Sequence, residues 1–210
     1  CVTLDHAALA NALSEGGAAL YEEVRESRPH LFSDSIVFVG HQHLARMAEL
    51  VAAMEEIVAM PAWQRRVLEW APASARHETA AAGAFLGYDF HLGDDGPKLI
   101  EINTNAGGGL LNAKLRGVQR ACCGAVAQLM QGVQPQAEAA FVDMFREEWR
   151  RVRGDAPLRH IAIVDETPAT QYLAPEFELF RQLFVANGIT ASIHDPADLR
   201  WDGVRLLAGD

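Results

Sequence analysis

Most of the side chains in this sequence that could do chemistry together fall between Asp89 and Gly109. Asp89 and His91 alternate with Tyr88, Phe90 and Leu92. After the turn Gly93-Asp94-Asp95-Gly96-Pro97, Glu101 and Asn103 alternate with Ile100 and Ile102. Successive side chains on a strand point to opposite faces. The pattern therefore predicts a hairpin with Tyr88, Phe90, Leu92, Ile100 and Ile102 on an apolar face, and Asp89, His91, Glu101 and Asn103 on the other. A turn about Asp95 sets Asp89 across from Glu101. Facing carboxylates repel and weaken a sheet, and a bound cation is the chemistry that would reverse this. Hard divalent ions such as Mg2+ take oxygen ligands, commonly one or two carboxylates, with substrate phosphates completing the shell. The plainer reading of the acid pair is a solvated hairpin face.

Asn103 runs into Thr104-Asn105-Ala106-Gly107-Gly108-Gly109. Consecutive glycines let backbone N–H groups approach a ligand and take up positive φ. Asn105, Gly107, Gly108 and Gly109 are thus a candidate substrate or phosphate loop, although flexible loops use such runs as well. An Asp on one strand, a short turn, then Glu-Ile-Asn leading into a glycine-containing loop resembles the metal-binding end of the ATP-grasp superfamily of carboxylate–amine ligases. The resemblance implies that Asp89, Glu101 and Asn103 hold the Mg2+ (or Mn2+) ions that bridge ATP phosphates. Related ligases often have an arginine two residues before the Asp. Here Gly87 stands at that position, so a phosphate contact made by such an arginine has no counterpart.

The remaining elements must position this hairpin. With 210 residues, half of them hydrophobic, the chain can bury one good core, or one core and a smaller unit. A net charge of −10 argues against a nucleic-acid groove or an anionic membrane surface, both of which reward clustered Lys and Arg. No apolar run is long enough to span a bilayer and no signal peptide is visible, so a cytoplasmic location is expected. Of three cysteines, Cys122 and Cys123 are adjacent in a helical pattern and offer neither a disulfide framework nor zinc spacing, so they read as buried, reduced thiols. Cys1 could in principle be an N-terminal nucleophile, but nothing downstream resembles such a site.

In chain order, Thr3 is placed to cap a helical stretch whose apolar stripe runs through Leu4, Ala8, Leu9, Leu13, Leu20 and Val24, with a break at Gly16-Gly17 as the alternative to one continuous helix, and Pro29 ends it. Residues 35–39 read as a short extended stretch. His41 to Met60 predicts a strong helix, and Pro61 starts another. After the glycine loop, Leu115 to Met130 and Gln136 to Arg153 predict two helices, and Gly154 to Pro157 reads as a boundary. A βαβ pattern follows: strand His160–Val164, helix Ala174–Asn187, strand Ile189–His194. Leu199 to Leu207 predicts a hairpin about Asp202-Gly203. The loop Asp165 to Gln171 lies at a strand's carboxyl end, where open α/β sheets bind ligands. It has no dinucleotide fingerprint.

The expected fold class is α/β: a helical N-terminal third, an ATP-grasp-like hairpin, and a Rossmann-like βαβ unit, divided as 1–154 and 155–210. A hairpin that precedes the βαβ unit is similar to the circularly permuted ATP-grasp group that includes glutathionylspermidine synthase, and Pro175-Glu-Phe-Glu-Leu-Phe fits the same relatives. The resemblance covers about residues 83 to 210. It implies an ATP-dependent carboxylate–amine ligase acting through an acyl phosphate on small carboxylate and amine substrates, with no catalytic base assigned. The family holds nucleotide phosphates with lysines on a second subdomain, and neither Lys98 nor Lys114, the two lysines here, matches one. The expectation is the front part of such an enzyme, inactive as this chain. A non-catalytic metal- or peptide-binding module on the same fold is the rival.

Overall fold

A computed structural model of the chain describes residues 2–14, 19–33, 37–121, 123–124, 126, 128 and 137–208. The architecture is mixed α and β, with helices and small two-stranded sheets. Two compact units emerge: Cys1–Ile36, Gly107–Arg150 and Asp155–Asp210 form the first, Val37–Ala106 and Arg151–Gly154 the second. Among the described residues no helix is long and apolar enough to cross a membrane.

In the first unit, β1 (Val2–Leu4) pairs antiparallel with β4 (Gln119–Ala121), Val2 facing Ala121. Thr3 therefore lies in a strand, against the expectation that it caps a helix. The cap is Asp5, whose Oδ1 accepts from the Ala8 N–H at 2.9 Å at the start of α1 (His6–Ser14). The expected helix from Leu115 to Met130 is interrupted: residues 115–117 and the described residues 124, 126 and 128 are helical, but Gln119–Ala121 is a strand. Helix α5 (Gly109–Gly117) stops at a glycine, Val118 turns inward, and residues 119–121 gain β1 as a partner, so tertiary pairing overrides local propensity. Residues 122, 125, 127 and 129–136 lie outside those described. Cys123, expected in a buried helix face, is exposed.

The apolar stripe read from the first helices is the core. Leu9 and Leu13 of α1 meet Leu20 and Val24 of α2 (Ala19–Ser27), together with Leu110 and Leu111 of α5, Val118, and Leu179. Leu179 belongs to α7 (Ala174–Ala186), the helix between the parallel strands β5 (His160–Val164) and β6 (Thr190–His194). Their register runs from His160 opposite Thr190 to Val164 opposite His194. A second cluster joins Phe184 of α7 to Val142 of α6 (Ala137–Arg153) and to Ile189 and Ala191. Phe145 stands edge-on to Phe184 at 5.1 Å between ring centres, the arrangement favoured by ring quadrupoles. Gly188, at φ 77°, lets the chain leave α7 for β6. The short hairpin β7 (Leu199–Trp201) and β8 (Leu206–Ala208) follows, as expected.

The second unit holds α3 (His41–Ala59), α4 (Pro61–Leu68, with Pro61 at its first position), and the hairpin β2 (Gly87–Gly93) and β3 (Gly96–Asn103). Helix α3 packs against β3. Its stripe residues Met47, Leu50, Val51 and Met54 are half-buried, and neither α3 nor α4 contributes a fully buried side chain.

Candidate functional site

The hairpin turns over Asp94-Asp95, with Gly93 opposite Gly96 at φ 93°. Asp89 and Glu101 are direct cross-strand partners, as the alternation predicts, and Gly87 faces Asn103. The Asn103 side-chain amide donates to Asp89 Oδ2 at 3.4 Å, a long bond that positions more than it stabilises. Asp89 and Glu101 are exposed, while Asn103 is half-buried. Two carboxylates and an amide carbonyl thus cluster at one end of a two-stranded ribbon.

A β-bulge between the Asp89 and Phe90 positions changes the rest of the alternation. Asp89 pairs with Glu101 and Phe90 with Leu99, so Ile100 is the extra residue. Ile100 is 67% exposed instead of joining the apolar face. Lys98, placed on the apolar face by strict alternation, lies across from His91, and its ammonium reaches Asp95 Oδ2 at 3.3 Å. On the other strand, the Tyr88 hydroxyl bonds the Glu55 carboxylate of α3. That hydrogen bond, with some desolvation, holds the phenol above its usual value.

Gly87 has a steric explanation. A Cβ at this position would fall 2.8 Å from the Cβ of Ala106 and 3.6 Å from that of Asn103. Ala106 is itself held by its N–H to the Phe85 carbonyl at 3.3 Å. Any side chain at residue 87 requires Ala106 to move, so the arginine of the resembling ligases has no place here.

The glycine loop meets a partner that the sequence reading missed. Glu176 is 3% exposed. Its Oε2 accepts from the Gly108 N–H at 2.5 Å, and its Oε1 accepts from the N–H groups of Leu110 at 2.8 Å and Leu111 at 3.3 Å. These are amides at the start of α5, which a helix cannot satisfy internally. Glu176 also occupies the first turn of its own helix, α7, so one carboxylate complements two helix starts. Gly108 is at φ 91°, and a Cβ on Gly107 would fall 2.4 Å from Leu173 Cδ1. The glycines admit Leu173 and Glu176 to the backbone. A phosphate reaching these amides would have to displace Glu176. Asn105 is an exposed turn residue. The available signal was Leu-Ala-Pro-Glu at residues 173–176: an acid in the first turn of a helix after a proline.

The loop after β5 is built on backbone bonds. The Asp165 N–H donates to the His194 carbonyl at 3.2 Å, and the Thr167 N–H donates to Asp195 Oδ2 at 2.7 Å. Thr167 has φ 48°, a left-handed conformation that β-branched residues resist. The N–H groups of Ala197 and Thr167 hold the Asp195 carboxyl below its ordinary range. Arg28 is buried and donates from Nε to the Tyr172 carbonyl at 2.8 Å and from Nη2 to that of Gln171 at 2.9 Å, which anchors the entry to α7.

Among the described residues no group of three or more His, Cys, Asp or Glu side chains is gathered to hold a metal ion. No protein-family model matches the chain, and no curated protein and no solved structure is significantly similar to it.

Proposed function

We propose that the chain carries the metal-binding half of an ATP-dependent carboxylate–amine ligase of the ATP-grasp type, permuted as in the glutathionylspermidine synthase group and working in the cytoplasm. The observation that supports this reading is the direct pairing of Asp89 with Glu101, with Asn103 bonded to Asp89. These three residues would hold Mg2+, which supplies charge neutralisation at a transferred phosphoryl group. In such a ligase ATP phosphorylates a substrate carboxylate, and an amine displaces phosphate from the acyl phosphate. The hairpin's own part is to fix oxygen ligands on paired strands, so that little reorganisation accompanies ion binding.

A second reading, a metal-binding module that does not use nucleotide, is favoured by two observations. Glu176 fills the glycine-loop amides, and neither lysine matches a phosphate-holding position: Lys98 reaches Asp95 and Lys114 reaches Glu138.

Melting curves with and without Mn2+, each with and without ATP, on wild type, Asp89→Asn and Glu101→Gln test both readings. Repulsion between the facing carboxylates predicts that metal-free Asp89→Asn melts at or above wild type. An ion that binds the folded state alone stabilises by about 2.7 kcal/mol at a hundredfold excess over its dissociation constant, and both variants are expected to lose that gain. Mn2+-dependent ATP binding, weak in this chain, supports the ligase. Mn2+ binding that ATP does not affect supports the module. Variants that respond to Mn2+ as wild type does, or a destabilised metal-free Asp89→Asn, overturn the facing-carboxylate site.

A further inference from the structure

The first unit contains a cavity of about 230 Å³ that is independent of the hairpin. Its floor is apolar: Leu110 of α5, and Leu179 and Leu183 of α7. Two small residues, Ala12 of α1 and Ala186 at the end of α7, leave the space open. One wall is charged. Lys114 Nζ lies 2.7 Å from Glu138 Oε1, with side chains 17% and 42% exposed, and Gln182 stands beside them. Gln182 is oriented by donating from Nε2 to Glu178 Oε1 at 2.6 Å.

A pocket with an apolar floor and a few convergent polar groups is the usual form of a small-molecule site. The charge arrangement narrows the ligand. A simple anion competes with Glu138 for Lys114, and a simple amine competes with Lys114 for Glu138. A neutral apolar molecule leaves the ion pair facing hydrocarbon, which is costly for charges already partly removed from water. A zwitterion meets both groups: its carboxylate faces Lys114, its ammonium faces Glu138, and its side chain covers the leucine floor. Size agrees. A volume of about 230 Å³ lies below the roughly 300–1,000 Å³ of pockets for drug-sized ligands, which favours a small molecule. We infer that the cavity bounded by Leu110, Lys114, Glu138, Leu179, Gln182 and Leu183 binds a small aliphatic amino acid.

Calorimetry and thermal melting of the full chain with L-valine and L-leucine test the inference, with isovalerate and isobutylamine as the one-charge controls. Saturable millimolar binding of an amino acid is expected, at least about tenfold tighter than either control. Ala186 lies at the exposed rim, so Ala186→Leu closes the mouth without entering the core and should abolish binding while the protein melts as wild type does. Lys114→Met should weaken the amino acids by about tenfold or more. Circular dichroism establishes that both variants are folded. No saturable binding of either amino acid, controls that bind equally well, or binding unchanged in folded Ala186→Leu overturns the site.

Discussion

At the scale of single residues, Glu176 and the Asp89–Glu101 pair are opposite uses of carboxylates. Glu176 is buried and its oxygens accept from three backbone N–H groups, so its negative charge is spread over fixed dipoles. Asp89 and Glu101 are exposed and set against each other. Loss of a carboxylate that satisfies buried amides forfeits the charged hydrogen bonds and leaves donors without an acceptor. Glu176→Ala is therefore expected to lower stability by about 2–4 kcal/mol, and Glu176→Gln, which keeps one acceptor oxygen, by less. Urea unfolding of both variants measures this. Equal stability of wild type and Glu176→Ala would mean that water satisfies these amides equally well.

At the scale of elements, the loop after β5 and the turn after β6 are tied together through Asp195. Its folded carboxyl titrates below the ordinary aspartate value of about 3.9. A depressed folded value means that its stabilising contribution is complete above the unfolded value and is lost as pH falls through the folded one. Stability measured from pH 5 downward should fall less steeply in Asp195→Asn than in wild type; parallel acid limbs would count against the assignment. How much of the elements was legible follows from the kind of constraint that forms each. Helices α3, α4, α6 and α7 and strands β5 and β6 carry their own periodicity, caps and breakers, and the sequence reading places them within a residue or two. Strand β4 escapes it because Gln119–Ala121 is extended through pairing with Val2–Leu4, more than a hundred residues earlier. The Asp89–Glu101 pairing was legible from alternation alone, whereas the bulge at Ile100 was not. One extra residue in a ladder leaves no mark in composition, yet it reverses the face of Lys98. The partner of the glycine loop was hidden for the same reason as β4: Glu176 lies 68 residues beyond Gly108.

At the scale of the whole molecule, the buried hydrophobic side chains lie in the first unit, while α3 and α4 have none. Few buried apolar contacts mean low local stability. Within the second unit, residues 77–86 form no regular structure and are largely exposed. Gly154 to Pro157, also exposed, is the boundary that the sequence suggests. Helix α7 shares one core with α1, α2 and α5 through Leu179. Limited proteolysis is therefore expected to cut first within residues 77–86 and to leave residues 155–208 associated with the N-terminal helices. Early release of a stable fragment that begins near Asp155 would show instead that the βαβ segment folds alone.

The Glu176 carboxylate also bears on the order in which the chain folds. Helix α5 has nine residues, begins at glycine, and has no side-chain cap of its own. A segment of that length is marginal as a helix in water, where about 12–15 residues are needed even for favourable sequences. What completes its start arrives from α7, across 68 residues of intervening chain, and closing such a loop must be offset before the contact contributes anything. Helix α5 is accordingly a product of tertiary assembly and not one of its seeds. The start of α5 and the shape of the glycine loop are therefore expected to form together with the contact to Glu176.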